Sequence, residues 1–424
     1  MGTDPSGEFI ELSGPDLSEA EVEAVISVLR TRRLSLGPKL PEFERAIADY
    51  VGLKHGIAVN SGTSALHLIV RALGLGDGDE VITTPFSFVA SANCLLYERV
   101  TPRFVDIDPS NLNISCDLIE AKLTERTRAI LAVDVFGLPA DWDRLRELAA
   151  AHRLALIEDS CEALGARMRS RDGGWAMAGS FADAGTFAFY PNKQITTGEG
   201  GMIVTDRDDL AALCRSMRNQ GRDEGAEWLA HARLGFNYRL SDINCALGIA
   251  QMSRLDEMLA ARRRVAGWYR EALSGMPGVA APPDSPGAER SWFVYVVRLT
   301  RCRGGEQLRA ALTALRERGI GCANYFPPIH LQPFYRQLLG HREGDFPVTE
   351  EVSTQTVALP FHNRITRAQV GRVAEALRET LVELELAGPG GAPPVALGAV
   401  VSDGTRAQAT SPGAHEASRE GGSA

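Results

Sequence analysis

The chain offers no arrangement of cysteines that would hold a metal or a disulfide framework. Its seven, Cys94, Cys116, Cys161, Cys214, Cys245, Cys302 and Cys322, are scattered, with no CxxC pair and no Cys/His spacing. The pattern suits reduced, structural thiols in a cytoplasmic protein and gives no metal site. There is no basic run either, and the formal net charge is -9, which argues against nucleic-acid binding as the main activity. An anionic substrate would have to be met by local Arg or Lys against that field. The opening residues, MGTDPSGEFIE, lack the apolar core of a signal peptide, and no apolar stretch approaches the length of a membrane span. No internal repeat is present. From Gly388 onward the chain has no aromatic residue and is rich in Gly, Pro, Ala and Ser. That composition cannot bury a core, so 387–424 is expected to be a disordered tail.

What is there suits a large globular enzyme. The 424 residues are 44% hydrophobic, enough for one large domain and a smaller one. Ser18 and Glu21 form a capping-box pattern ahead of EVEAVISVLR, and a second helix is expected over 41–50. Short apolar runs then alternate with helical stretches, with strands expected at 56–59, 80–84, 103–107, 129–133, 155–158, 186–190 and 202–205. Such alternation predicts an α/β fold, a mostly parallel sheet covered by helices on both faces. After about Gln251 the pattern changes to a long helix over 252–273, a strand over 292–299, and helices over 306–318 and 367–385. We read 12–250 as a large domain and 251–386 as a smaller α+β domain.

Three passages carry chemistry. In GTFAFYPNKQITTGEGGMIVT, Lys193 lies between a buried-looking strand and a Gly-rich turn. Most lysines are solvated surface charges, but an amine held among apolar strands loses its proton more easily and can form a Schiff base. In LIEDSCEALGA, Asp159 closes an apolar strand, where parallel sheets bind ligands. A carboxylate there can keep a pyridine nitrogen protonated, the electronic task of a pyridoxal site; taken by itself, Asp159 reads first as a helix N-cap. In HGIAVNSGTSALHLIV, a strand, a polar turn and an apolar helix bring free N–H groups to a helix N-terminus, an anion site suited to a phosphate. Gly62 permits close approach, and Thr63 and Ser64 offer donors; the plain alternative is a capped helix.

Phosphate cradle, pyridinium partner and Schiff-base lysine in that order resemble the DegT/DnrJ-type nucleotide-sugar aminotransferases, a branch of fold-type-I pyridoxal enzymes. The resemblance covers roughly residues 12–386 and includes KLPEFERAIADYVGLKHGIAVNSGTSALHL, GDGDEVITTPFSFVASAN, FVDIDP, EDSCEALGA, NKQITTGEGG, LGFNYRLSDINCALG and PPIHLQPFY. It implies the aspartate-aminotransferase-like fold and pyridoxal 5'-phosphate as cofactor. It also implies transfer of an amino group from glutamate or glutamine to a keto group on a nucleotide-linked deoxysugar, and a homodimer with shared active sites. By the same resemblance Lys193 and Asp159 are the catalytic pair, Thr63 and Ser64 bind phosphate beside Gly62, Phe88 stacks on the cofactor ring, Glu162 lies near the ring hydroxyl, and Asn237 reaches the phosphate of the partner subunit. Core packing and a loop turn are the alternatives for Phe88 and Asn237.

Three positions depart from the family pattern. Ala188 stands where a phosphate-binding Ser is common, leaving that contact to Thr186 or water; Asp134 precedes Val135-Phe136-Gly137 where His is frequent; and Glu162 replaces a frequent Gln. A sugar dehydratase on the same scaffold would have His in place of Lys193. Amination of a cyclitol or related ketone, and a non-catalytic pyridoxal-phosphate-binding regulator, are further readings, the last without any DNA-binding module to support it.

Overall fold

A computed structural model describes residues 9–386, apart from 172, 226 and 228; the tail expected over 387–424 lies outside the described residues. Helix α1 (Glu19–Leu29) opens on the capping box read from the sequence, with the Ser18 N–H donating to the Glu21 carboxylate at 2.6 Å. Helix α2 (Lys39–Val51) buries Leu40, Phe43, Ile47 and Val51 along one stripe. It stops at Gly52, whose φ of +78° favours glycine.

The alternating pattern then follows: β1 (His55–Val59), α3 (Gly62–Ala72), β2 (Glu80–Thr83), α4 (Ala90–Leu96), β3 (Thr101–Phe104), β4 (Thr127–Val133), α5 (Trp142–His152) and β5 (Ala155–Asp159). A short antiparallel ribbon, β6 (Arg167–Arg169) and β7 (Trp175–Met177), precedes β8 (Ala184–Ala188), β9 (Gly201–Thr205) and α6 (Asp208–Arg218). One seven-stranded sheet has the order β1-β9-β8-β5-β4-β2-β3. Strands β3, β2, β4, β5 and β8 pair in parallel. Strand β9 is antiparallel to both its neighbours, because no helix separates it from β8 to carry the chain back across the sheet. The central strands are almost continuously buried, as a sheet covered on both faces requires.

The remainder comprises α7 (Asp242–Met252), α8 (Leu255–Ala272), β10 (Val279–Ala280), β11 (Ala288–Glu289), β12 (Tyr295–Leu299), α9 (Gly305–Glu317), α10 (Pro333–Leu339), α11 (Pro347–Ser353), β13 (Thr356–Leu359) and α12 (Arg367–Leu386). Strands β10, β12 and β13 form a separate antiparallel sheet, while β11 joins the ribbon at β6. A second apolar core gathers Tyr269 from α8, Tyr295 and Val297 from β12, Val357 from β13, Phe361 just after it and Leu377 from α12.

The seven strands expected in the large sheet all form, with two displaced. The run at 103–107 is ordered as Thr101–Phe104, and the run at 186–190 as Ala184–Ala188. In the latter the strand ends early because the chain must leave the sheet to build the Lys193 loop. No described helix is long and apolar enough to cross a membrane.

Candidate active site

Strand β5 delivers Asp159 to its C-terminal end, opposite Val133 of β4 and Thr186 of β8. The carboxylate is buried and fixed from two sides. Its Oδ2 accepts the Ser91 hydroxyl at 2.7 Å, Ser91 Oγ lies 2.8 Å from Ser87 Oγ, and its Oδ1 accepts the Cys161 N–H at 3.2 Å. Asp159 therefore caps no helix; it stands at the strand end with its orientation set by α4 and its own turn.

Lys193 projects from the loop joining β8 to β9. Its N–H donates to the Tyr190 carbonyl at 2.9 Å, and its carbonyl accepts from Arg262 Nη2 at 2.8 Å. With both backbone groups held, the Nζ atom sits 3.9 Å from the centre of the Phe293 ring and 3.9 Å from Glu162 Oε1. Glu162 Oε2 accepts the Phe136 N–H at 2.9 Å. Burial pushes the Glu162 carboxyl up to about 7, against the opposing pull of the Lys193 charge. The amine therefore faces an apolar ring on one side and a carboxyl that titrates near neutrality on the other.

The third passage packs directly onto these two. Helix α3 begins at Gly62, where an added Cβ would lie 2.8 Å from both the Ala188 Cβ and the Cys161 Sγ, so only glycine lets the helix end approach β8 and the Asp159 turn this closely. Ser61 caps the helix by accepting the Ser64 N–H at 3.1 Å, and the Ser64 hydroxyl donates to Asn60 Oδ1 at 2.7 Å. Among the described residues, the N–H groups of Gly62 and Thr63 and the Thr63 hydroxyl have no protein partner. The capped helix and the anion site thus coexist: Ser61 and Ser64 serve the cap, while the first two N–H groups are left without a partner for an anion to take up.

Ala188 ends β8 beside Gly62 and supplies no hydroxyl there. Thr186 lies two residues deeper, opposite Asp159, fully buried with its Oγ1 unpartnered. Asp134, the other departure, is fully buried behind the site and accepts the Ala140 N–H and Trp142 Nε1–H at 2.9 Å each. The Ser160 hydroxyl lies 2.6 Å from Asp134 and 2.7 Å from Glu158. A single hydroxyl proton cannot serve two carboxylates, so one carboxyl of the pair keeps its proton; burial pushes Asp134 to about 6 and Glu158 well above the usual carboxylate range.

Phe88 is 61% exposed, which removes core packing as its role. It precedes α4, three residues before Ser91, and forms part of the wall of a 720 Å³ cavity with Tyr97, Phe326 and Phe334. Asn237 is exposed and bridges Asn219, and the neighbouring Tyr238 carbonyl accepts the Asn60 N–H at 2.9 Å. Its segment runs beside the end of β1, and it does not touch Asp159, Glu162 or Lys193.

The residues not singled out from the sequence are mostly the ones that aim the others: Ser91, Phe293, Gln194, which donates to the Glu162 carbonyl at 2.6 Å, and above all Arg262. Arg262 is buried on α8 and donates to three carbonyls, those of Lys193 at 2.8 Å and of Trp292 and Phe293 at 3.1 Å each. Burial lowers its guanidinium to about 10. Its signal was legible: Arg262 occupies the buried stripe Met258, Leu259, Val265, Ala266 and Tyr269 of α8, where an arginine must find acceptors.

These groups match pyridoxal phosphate part by part. The free N–H groups at α3 suit its phosphate, the Asp159 carboxylate its ring nitrogen, Glu162 its ring hydroxyl and the Lys193 amine its aldehyde. A family model, the DegT/DnrJ/EryC1/StrS aminotransferase family, matches residues 15–378. The chain is 40% identical over 377 residues to GDP-perosamine synthase of Caulobacter vibrioides, covering 88% of this chain and 98% of that one. Among solved structures, DesV of S. venezuelae is similar with a TM-score of 0.77 and 35% identity, covering 85% of this chain and 93% of its own. Helicobacter pylori PseC, an aminotransferase involved in the biosynthesis of pseudoaminic acid, has a TM-score of 0.81 and 28% identity, covering 89% and 100%.

Proposed function

The chain belongs to the DegT/DnrJ/EryC1/StrS aminotransferase family and is a pyridoxal-phosphate-dependent aminotransferase; on that premise we propose that it moves the amino group of glutamate or glutamine onto the keto group of a nucleotide-linked sugar. The observation that carries the reading is the convergence of Lys193, Asp159 and Glu162 with the free N-terminus of α3. The 40% identity to a GDP-perosamine synthase makes a GDP-linked keto sugar the first substrate to test.

When bound, pyridoxal phosphate supplies an electron sink for the pair released as a C–H bond of the substrate breaks. The protein's own residues do the rest. Gly62 and Thr63 N–H groups and the Thr63 hydroxyl bind the phosphate, with Ser64 holding the turn. Phe88 covers one ring face. Asp159, aimed by Ser91, keeps the ring nitrogen protonated. Glu162 orients the ring hydroxyl and supports the Lys193 ammonium. Lys193 would hold the cofactor through its amine, and the same Nζ atom would serve as the base that takes up and returns the substrate proton. Phe293 and the buried wall around it shield that amine from water.

The site is completed in a homodimer, with the exposed Asn237 of each subunit reaching the phosphate at the other's site. Residues 12–250 form the cofactor-binding domain and residues 251–386 the smaller domain, whose α8 holds Lys193 through Arg262. The experiment that tests the substrate class is a screen of nucleotide-linked keto sugars, GDP-linked first, with glutamate or glutamine as donor and mass detection of an amino group in place of the carbonyl oxygen. Amination confined to free cyclitol ketones would replace this reading.

A further inference from the structure

A second pocket lies away from Lys193, where the loop after β3 meets β12 and the chain entering it. It has a volume of 210 Å³, and its wall includes Ser110, Asn111, Phe136, Arg290 and Arg298 but no carboxylate. Neither guanidinium makes a direct ion pair with a carboxylate among the described residues, in a chain whose net charge is -9. Arg290 makes one long hydrogen bond, to the Phe136 carbonyl at 3.3 Å, and sits over the Trp292 ring at 5.2 Å. Most of its N–H groups have no acceptor among the described residues. Of the carboxylates near it in sequence, Glu289 pairs with Arg167, and Asp284 pairs with Arg270 at 2.6 Å and reaches Arg290 only as a more distant attraction. Arg298 donates only to neutral acceptors, Gln355 Oε1 at 2.9 and 3.2 Å and the Pro109 carbonyl at 3.3 Å. Asn111 uses its side-chain oxygen for the Asn113 N–H, leaving its amide nitrogen as a further donor.

Arg290 and Arg298 are half-buried, so each has lost part of its hydration, and an anion held between them would offset that loss with charge-assisted hydrogen bonds. Burial already lowers the Arg290 guanidinium to about 10. We propose that this pocket binds a small doubly charged anion, a phosphate or a dicarboxylate, between Arg290 and Arg298. Such a ligand would tie the loop after β3 to the antiparallel sheet. It would also share a wall with the active site, because the Phe136 carbonyl accepts from Arg290 while the Phe136 N–H donates to Glu162.

The test is calorimetric titration of the holoenzyme with inorganic phosphate and, separately, with succinate, the two arms separating phosphate from dicarboxylate chemistry. One saturable site per chain is expected for at least one anion, weakened about tenfold or more by Arg290→Gln and by Arg298→Gln. Arg290→Lys and Arg298→Lys keep the charge and should retain most of the affinity. They also guard against a Gln variant that fails to fold, as does unchanged cofactor absorbance in each variant. Absence of saturable binding of either anion, or equal affinity in the wild type and both Gln variants, overturns the proposal.

Discussion

Replacing Glu162 by Gln isolates one buried charge whose energetic cost can be worked out from the fold. The carboxyl titrates at about 7 when folded, against an ordinary value of 4.5, because burial outweighs the attraction of Lys193. A group whose pKa is raised by folding stabilises the native state fully below its unfolded pKa and loses that contribution as pH rises through the folded pKa. The window therefore runs from about 4.5 to 7, and between pH 5 and pH 8.5 the wild type should lose about 2–3 kcal/mol of stability through this residue. Glu162→Gln keeps an oxygen to accept the Phe136 N–H and has no charge to titrate, so it should not show that loss. The assay is urea unfolding of the cofactor-free protein, wild type against variant, at intervals across pH 5 to 8.5. The two stability curves should diverge with rising pH, the variant becoming relatively more stable. Curves that stay parallel would refute the reasoning, since they would mean that Glu162 titrates alike folded and unfolded.

Asp159→Asn keeps shape and removes the charge proposed to hold the cofactor nitrogen protonated, so turnover should fall by orders of magnitude while the fold is kept; near-normal turnover would reduce Asp159 to a structural turn. Arg262→Met strands three carbonyls, among them those of Lys193 and Phe293, and should cost about 2–4 kcal/mol in the unfolding of the holoprotein. Arg262→Lys should recover part of it and part of the cofactor absorbance; a Met variant as stable as the wild type contradicts this role. Mixing inactive Lys193→Ala subunits with Asn237→Asp subunits should restore activity on exchange, toward about half of wild type per mixed dimer if sites act independently. No recovery despite verified exchange, with a clearly impaired Asn237→Asp parent, would mean Asn237 serves its own subunit.

The large sheet was legible because its strands are buried apolar runs bounded by helices, a pattern that survives in one dimension. The ribbon of Arg167–Arg169 and Trp175–Met177 and the partner Ala288–Glu289 were not, because two or three residues display no period. The candidate site divides the same way. Asp159 stands at a strand end, Gly62 at a helix start and Lys193 in a Gly-rich loop between two strands, places where a linear pattern announces a ligand. Their supports do not: Ser91 lies 68 residues from the Asp159 it holds, and Phe293 comes to Lys193 from the irregular segment leading into β12. Such contacts follow from packing alone. Arg262 is the instructive case between, since a charged residue in the buried stripe of α8 was visible in advance, though its three acceptors were not.

The central claim is that Lys193 carries amino-group transfer to a nucleotide-linked keto sugar. Its most direct test follows by mass spectrometry the incubation of a GDP-linked keto sugar with glutamate or glutamine, using the wild-type holoenzyme and Lys193→Ala in parallel. The account predicts a sugar nucleotide bearing an amino group in place of its carbonyl oxygen from the wild type, dependent on the amino donor, and essentially none from Lys193→Ala. Wild-type-like amination by Lys193→Ala, or a wild-type enzyme that aminates no nucleotide-linked keto sugar while accepting a free ketone, would contradict it.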